Sequence, residues 1–309
     1  MAITEYTTLF SGVLTELYAQ ELKSVDLYNS NANLQIIGGK YIKIPKLSVS
    51  GYKDHTRAGS FNSGTYALDY DVKNLDHDRD VEFAIDPMDV DETNQVVSIA
   101  NIQKRFETTQ AIPELDSYTF SKIYTEFIAA GGTAVTTAPT TANILSLIDA
   151  DLKNMEDAGV PLDRVVLYCT STFKSMLKNA DGVERSLNVN AANNLDRRVL
   201  TIDDIQKIVT VPSTRFKTAF DFTNGVAAAQ TAKSINYILI DPEAQVSRQK
   251  YSYIKVYGPG SDSKCADNYL YQNRKYNGTF EYRSLLAPDV TSTWGLKYGS
   301  DKGKQAIFC

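Results

Sequence analysis

The apolar positions of this chain change period several times, and each change marks a different element. Leu9, Phe10, Val13, Leu14, Leu17, Tyr18, Leu22 and Val25 recur at helical spacing, which predicts an amphipathic helix over residues 7–28. The stretch NSNANLQIIGG breaks it. From residue 40 the period becomes two. Ile42 and Ile44, then Leu47 and Val49 after a shift at Pro45, predict a strand with an edge or a bulge at the proline. Leu68, Tyr70 and Val72, then Val81, Phe83 and Ile85, continue the alternation. Between them, YKDHTRAGSFNSGTY at 52–66 has no core pattern. Residues 40–86 therefore read as strands around a long polar tip.

Helical spacing returns at Val96, Ile99, Ala100, Ile102 and Phe106, with an interruption expected at Pro113. Phe120, Ile123, Tyr124, Phe127 and Ile128 then form a second helix face. GGTAVTTAPTT at 131–141 is a turn-rich boundary. Beyond it the texture is α/β. Ile144, Leu147, Ile148, Leu152 and Met155 predict a helix capped near Thr141 and stopped near Gly159. RVVLYC and ILID are buried-type strands, TSTFKSMLKNA is a short helix, and residues 246–283 return to strand texture. Asn277-Gly278 carries a hairpin-turn signal.

A two-stranded ribbon with a polar tip is marginal in water, and its open edges template pairing. Another part of the chain or another copy must cover it. The 19 tyrosines suit surfaces that are both wet and adhesive. A net charge of -5 gives no global reason to bind nucleic acid or a membrane surface. No apolar run reaches the ~20 residues of a membrane span, and the start MAITEYTTLF does not read as a signal peptide.

Candidate chemistry is sparse. Cys169, Cys265 and Cys309 are scattered, without metal spacing, and read as free thiols in a reducing compartment. His55 and His77 lie in polar surroundings and read as surface loop histidines. DPMDVDETNQ packs Asp86, Asp89, Asp91 and Glu92 together but lacks the glycine of a calcium loop. Carboxylates at a helix start meet free N–H groups and the positive dipole end, so Asp89 or Asp91 is expected to cap and Glu92 to lie in the first turn. LYCTSTF places Cys169 where a nucleophile elbow would, without flanking glycines or a nearby histidine. YGPGS reads as a turn, and YKDHTR as a solvated loop tip. No catalytic residue, metal ligand or cofactor is expected.

The order of elements carries a resemblance. GGKYIKIPKLSVSGYKDHTR resembles the start of the extended loop in major capsid proteins of tailed bacteriophages with the HK97-type fold. DRDVEFAIDPMDVDETN and FETTQAIPELDSYTFSKI resemble the loop's end and the spine helix. IQKIVTVPSTRF is similar to an axial-domain segment, and INYILIDPEAQ through NGTFEYR to the closing peripheral β segment. The resemblance implies an α+β HK97-like capsid fold: an N-terminal arm (1–39), an extended loop (40–86), spine helix and first peripheral part (87–140), axial domain (141–245), and second peripheral part with C-terminus (246–309). It implies a shell subunit forming hexamers and pentamers around double-stranded DNA, in a virion assembled in host cytoplasm. A separate scaffolding protein or none, a portal and decoration proteins would be partners. Lys53, His55, Arg57 and Phe61 on the loop, with Leu9, Phe10 and Leu14 on the arm, are the expected inter-subunit contacts. Some members crosslink a loop lysine to a peripheral asparagine. Lys53 and Asn268, Asn273 or Asn277 have the residue types, but no motif marks them and no crosslink is assigned. The alternatives are an encapsulin-like nanocompartment subunit and a carboxylate-dependent enzyme.

Overall fold

A computed structural model describes residues 22–28, 41–55, 59, 61–92, 99–129, 133–135, 137–157, 159–180, 205–261, 264–281, 296–300 and 306–308. Along the chain run α1 (Val25–Tyr28), β1 (Tyr41–Val49), β2 (Tyr66–Asn74), β3 (His77–Ile85), α2 (Pro87–Glu92) and α3 (Ile99–Phe106). A π turn (Glu107–Ala111) leads into α4 (Ile112–Ala129), followed by β4 (Thr133–Val135), α5 (Ile144–Asp157), β5 (Val166–Thr170) and α6 (Ser171–Lys178). Then come β6 (Lys207–Val211), β7 (Phe220–Asp221), β8 (Ala227–Ala228), β9 (Ile235–Ile240), β10 (Gln245–Tyr257), β11 (Tyr269–Glu281), β12 (Leu296–Ser300) and β13 (Ala306–Phe308).

Two sheets carry the body. One has six strands in the order β4-β13-β12-β9-β5-β6, and the other is antiparallel, β10-β11-β3. Strand β5 is buried along its whole length. Its alternate residues therefore face two cores. Val166 and Tyr168 pack with Phe120, Phe127 and Ile238 from α4 and β9. Leu167 and Cys169 pack with Ile144, Ile148, Phe173 and Leu177 from α5 and α6. The helices end as their sequences require. Thr170 caps α6 by accepting from the Phe173 N–H, and Gly159, at φ 82°, follows α5.

Pro113 does not end its helix. The Ile112 N–H bonds to the Glu107 carbonyl five residues back. That widened turn absorbs the missing proline donor, and the helix continues to Ala129. Pro45 likewise leaves the ladder intact, because β1 pairs with β2 in unbroken register from Tyr41↔Asn74 to Val49↔Tyr66. Strand β3 joins β11 rather than the ribbon, so the two-stranded protrusion ends at Asn74. The last strands, β12 and β13, join the six-stranded sheet rather than the β10-β11-β3 sheet.

Asn277-Gly278 is not a hairpin turn. Both residues lie inside β11, beside an irregularity in β10 between Gln249 and Tyr251. Glycine is required there by packing, since a Cβ on Gly278 would stand 1.8 Å from Leu75 Cδ2 and 3.0 Å from its Cγ. Leu75 is itself fully buried. Gly278→Ala is expected to cost about 1–3 kcal/mol by overpacking, with partial recovery in the Gly278→Ala/Leu75→Ala double variant. Denaturant unfolding of the four proteins of that cycle measures both effects.

Candidate assembly surfaces

The β1–β2 ribbon has two unlike faces. Its register places Tyr41, Leu47 and Val49 on one face with Val72, Tyr70, Leu68 and Tyr66. Each of these seven side chains is exposed, from 46% at Leu47 to 80% at Tyr66. Ile42, Ser48, Ala67, Asp69 and Lys73 take the other face. Nine of the twelve large apolar side chains exposed among the described residues lie between 41 and 72, so the apolar surface is concentrated on this one element. Strands of nine residues reach about 30 Å from the body.

The root of the ribbon is firmly held. Ile42 is buried with Leu75, Val246 and Phe280. Lys73 reaches Glu126 at 2.6 Å and Lys122 reaches Asp76 at 2.6 Å, while the Tyr118 hydroxyl donates to Asp76. Tyr276 donates its hydroxyl to the Leu75 carbonyl. His77, expected on a surface loop, is buried: its ring stacks on Tyr118 at 4.0 Å, and Nε2 lies 3.3 Å from Glu114 Oε1, which Arg79 also meets at 2.6 Å. As the first residue of β3 it points toward α4, and the Tyr118 and Phe222 rings enclose it.

Burial alone would raise the pKa of Asp76, but the hydrogen bonds from Lys122 and Tyr118 and the Lys122 charge hold it below the usual carboxylate value. Glu114 behaves alike: burial pushes it up, and His77 and Arg79 outweigh that and lower it. Both folded pKa values are depressed, so their contribution is complete above the unfolded range near pH ~4 and is lost as pH falls through the folded values. Rate-corrected hydrogen exchange across residues 73–79 is expected to accelerate below about pH 4, and Lys122→Met to flatten that dependence.

At the tip, the Ser50 N–H bonds the Thr65 carbonyl, and the Thr65 N–H returns a bond to Ser50 Oγ, both at 2.9 Å. Asn62 Nδ2 donates to the Lys53 and Asp54 carbonyls. His55 lies 6.0 Å from Phe61, ring to ring. Tyr52 and Phe61 are almost wholly in solvent. The structure thus gathers Lys53, His55 and Phe61 at one exposed tip. Arg57, Leu9, Phe10 and Leu14 lie outside the described residues.

One buried carboxylate ties three parts of the chain together. Asp116 on α4 is fully buried and accepts from the Lys23 N–H (3.3 Å), the Ser24 N–H (3.1 Å), Ser24 Oγ (2.8 Å) and Arg215 Nη1 (3.2 Å). Burial raises its pKa despite those donors. Sequence reading missed this residue, because Asp116 sits in an ordinary helical pattern and its partners lie 92 and 99 residues away.

Among the described residues, no group of three His, Cys, Asp or Glu side chains is placed to hold a metal. Cys169 is buried in β5, and burial pushes its thiol pKa up to about 12, which suppresses the thiolate a nucleophile needs. The acidic stretch starts a helix, but Asp86 rather than Asp89 or Asp91 is the cap: its Oδ1 accepts from the Met88 N–H at 2.9 Å, with Pro87 in the first position. No helix among the described residues is long and apolar enough to cross a membrane.

No family model matches the sequence, and no curated protein matches it. Solved structures do match. The asymmetric unit of the bacteriophage PhiM1 mature capsid superposes with a TM-score of 0.58 at 16% identity, covering 83% of this chain and 85% of that one. The capsid structure of cyanophage P-SCSP1u gives 0.54 at 13% identity, with 84% of each chain covered. The chain has a phage-capsid fold. A structure from Mycobacterium phage Che8 adds 0.52 at 16% identity over 80% and 83%. The shared fold is an α+β HK97-like capsid fold.

Proposed function

We propose that this chain is the major shell subunit of a tailed bacteriophage, assembling into hexamers and pentamers of an icosahedral capsid around double-stranded DNA. The observation that carries the reading is the ribbon. It holds seven exposed apolar side chains on one face, far from the body, with a root fixed by buried and charged contacts. A face of that kind is stable in water only when something covers it. The capsid fold supports a sister copy as the cover.

Function on this reading is geometry. Each interface is modest, because association has a large entropic cost. Closure multiplies many modest contacts into a robust shell. Lys53, His55 and Phe61 at the tip, with Arg57, Leu9, Phe10 and Leu14, are proposed to meet neighbouring copies. A separate scaffolding protein, a portal and decoration proteins would complete the virion, with DNA enclosed rather than read.

Purification of the chain with and without residues 51–66, followed by sizing and electron microscopy, tests the proposal. Shells, tubes or capsomers from the full chain, lost on deletion, are expected. A monomer from the full chain at concentrations where shells form would overturn it.

A further inference from the structure

The β10-β11-β3 sheet has one face turned inward, where Asn273 and Lys275 meet Glu107. Its other face is a grid of three rows. The register sets Tyr251, Tyr276 and Asp78 in the first row, Tyr253, Arg274 and Asp80 in the second, and Lys255, Gln272 and Glu82 in the third. Strand β10 therefore supplies two neighbouring tyrosines, β11 supplies Arg274 and Gln272, and β3 supplies only acids. A groove of about 350 Å³ runs among them, lined by Asp80, Glu82, Tyr251, Tyr253, Gln272 and Arg274. Its side chains are held in place by one another. Arg274 meets both oxygens of Asp78, from Nε at 3.0 Å and from Nη2 at 2.6 Å. Gln272 Nε2 donates to Glu82 at 2.6 Å. The Tyr251 and Tyr253 rings are parallel to within 5°, with centres 6.4 Å apart, and the Tyr253 and Tyr257 hydroxyls bond each other at 2.9 Å. The charges cancel. Asp78, Asp80 and Glu82 face Arg274, Lys255 and Lys264, the last standing 3.9 Å from Glu82.

We propose that this groove binds a neutral oligosaccharide. An apolar ligand would desolvate the carboxylates and Arg274 without replacing their hydrogen bonds. A polyanion such as nucleic acid would meet the acidic column on β3, and a polycation would meet Arg274 and Lys255. A sugar ring satisfies both halves of the groove. Its C–H face is apolar and packs on a tyrosine ring, while the hydroxyls on its rim both donate and accept. Two parallel rings let consecutive sugar units of one chain stack in the same orientation. Asp80 accepts from hydroxyls, and Arg274 and Gln272 offer their remaining N–H groups as donors. Because those planar groups already hold one another, little rotamer freedom is lost when the ligand binds. The groove lies within one subunit, so the proposal does not rest on the assembly reading.

Saturation-transfer NMR and calorimetry on the purified full chain test this with cellohexaose, maltohexaose and chitohexaose as neutral probes and heparin as the anionic one. At least one neutral hexaose is expected to bind, with affinity unchanged between low and high salt. Tyr253→Ala and Asp80→Ala are each expected to weaken it by about tenfold. Both side chains stand on the outer face of the sheet, so circular dichroism is expected to show wild-type folding for both variants. Tyr41→Ala, on the ribbon, is the control and is expected to bind as wild type. No binding of any neutral hexaose overturns the proposal. Binding that survives both groove substitutions places the ligand elsewhere and overturns it too. A preference for heparin that disappears in salt overturns the neutral class of ligand.

Discussion

Leu68→Asp combined with Tyr66→Asp is expected to abolish higher-order assembly while leaving the subunit folded. Both side chains stand on the apolar ribbon face, opposite Leu47 and Val49, and are exposed at 54% and 80%. Exposed substitutions of this kind move subunit stability by about 0.5 kcal/mol or less. On assembly the sign changes. Each covered Leu or Tyr would contribute about 1.5–3 kcal/mol by leaving water, and a carboxylate in its place must be desolvated without a partner. The loss recurs in every copy, so a shell held by many modest contacts has nowhere to make it up. Ala67→Asp, on the opposite face, is the control and is expected to assemble. Sizing and electron microscopy read assembly, and circular dichroism and thermal unfolding read the fold. Wild-type shells from the double variant would show that this face is not an interface.

Asp116→Ala is expected to be the most damaging single change to the subunit itself. It would strand the buried Ser24 N–H and hydroxyl and leave the partly buried Lys23 N–H and Arg215 guanidinium without this acceptor. Removing one member of a buried, hydrogen-bonded charge pair typically costs about 3–5 kcal/mol. Asp116→Asn keeps the volume and one acceptor oxygen but presents its own N–H₂ to donors, so an intermediate loss is expected. Proteolysis should open first near residues 22–28, whose hold on α4 depends on this carboxylate. Denaturant midpoints for the three proteins, with limited proteolysis mapped by mass, measure the effect. Equal midpoints for wild type and Asp116→Ala would remove Asp116 as the junction.

The ribbon shows how pattern and tertiary structure divide the information. Alternation at Ile42, Leu47, Val49, Leu68, Tyr70 and Val72 identifies two strands. The apparent shift at Pro45 looks like a bulge. In the structure the ladder is unbroken, and the shift has another cause: Ile42 faces the body, whereas Leu47 and Val49 face solvent. A period of two cannot say which face is buried. Asn277-Gly278 failed as a turn signal for a related reason, since glycine satisfies a tight turn and a close packing contact equally well, and only Leu75 distinguishes them.

By itself the sequence determined the ribbon strands, the helix faces at 99–106 and 120–128, the α5–β5–α6 run and the helix start at the acidic stretch, because these follow from local period and capping chemistry. Only the tertiary structure decided which ribbon face stays apolar and open, that Pro113 is carried by a π turn, that His77 is buried, and that Asp116, Glu107, Asn273 and Lys275 become junctions. Those outcomes depend on partners tens to hundreds of residues apart, and a buried polar group acquires its energy from the few atoms around it, which no local pattern encodes.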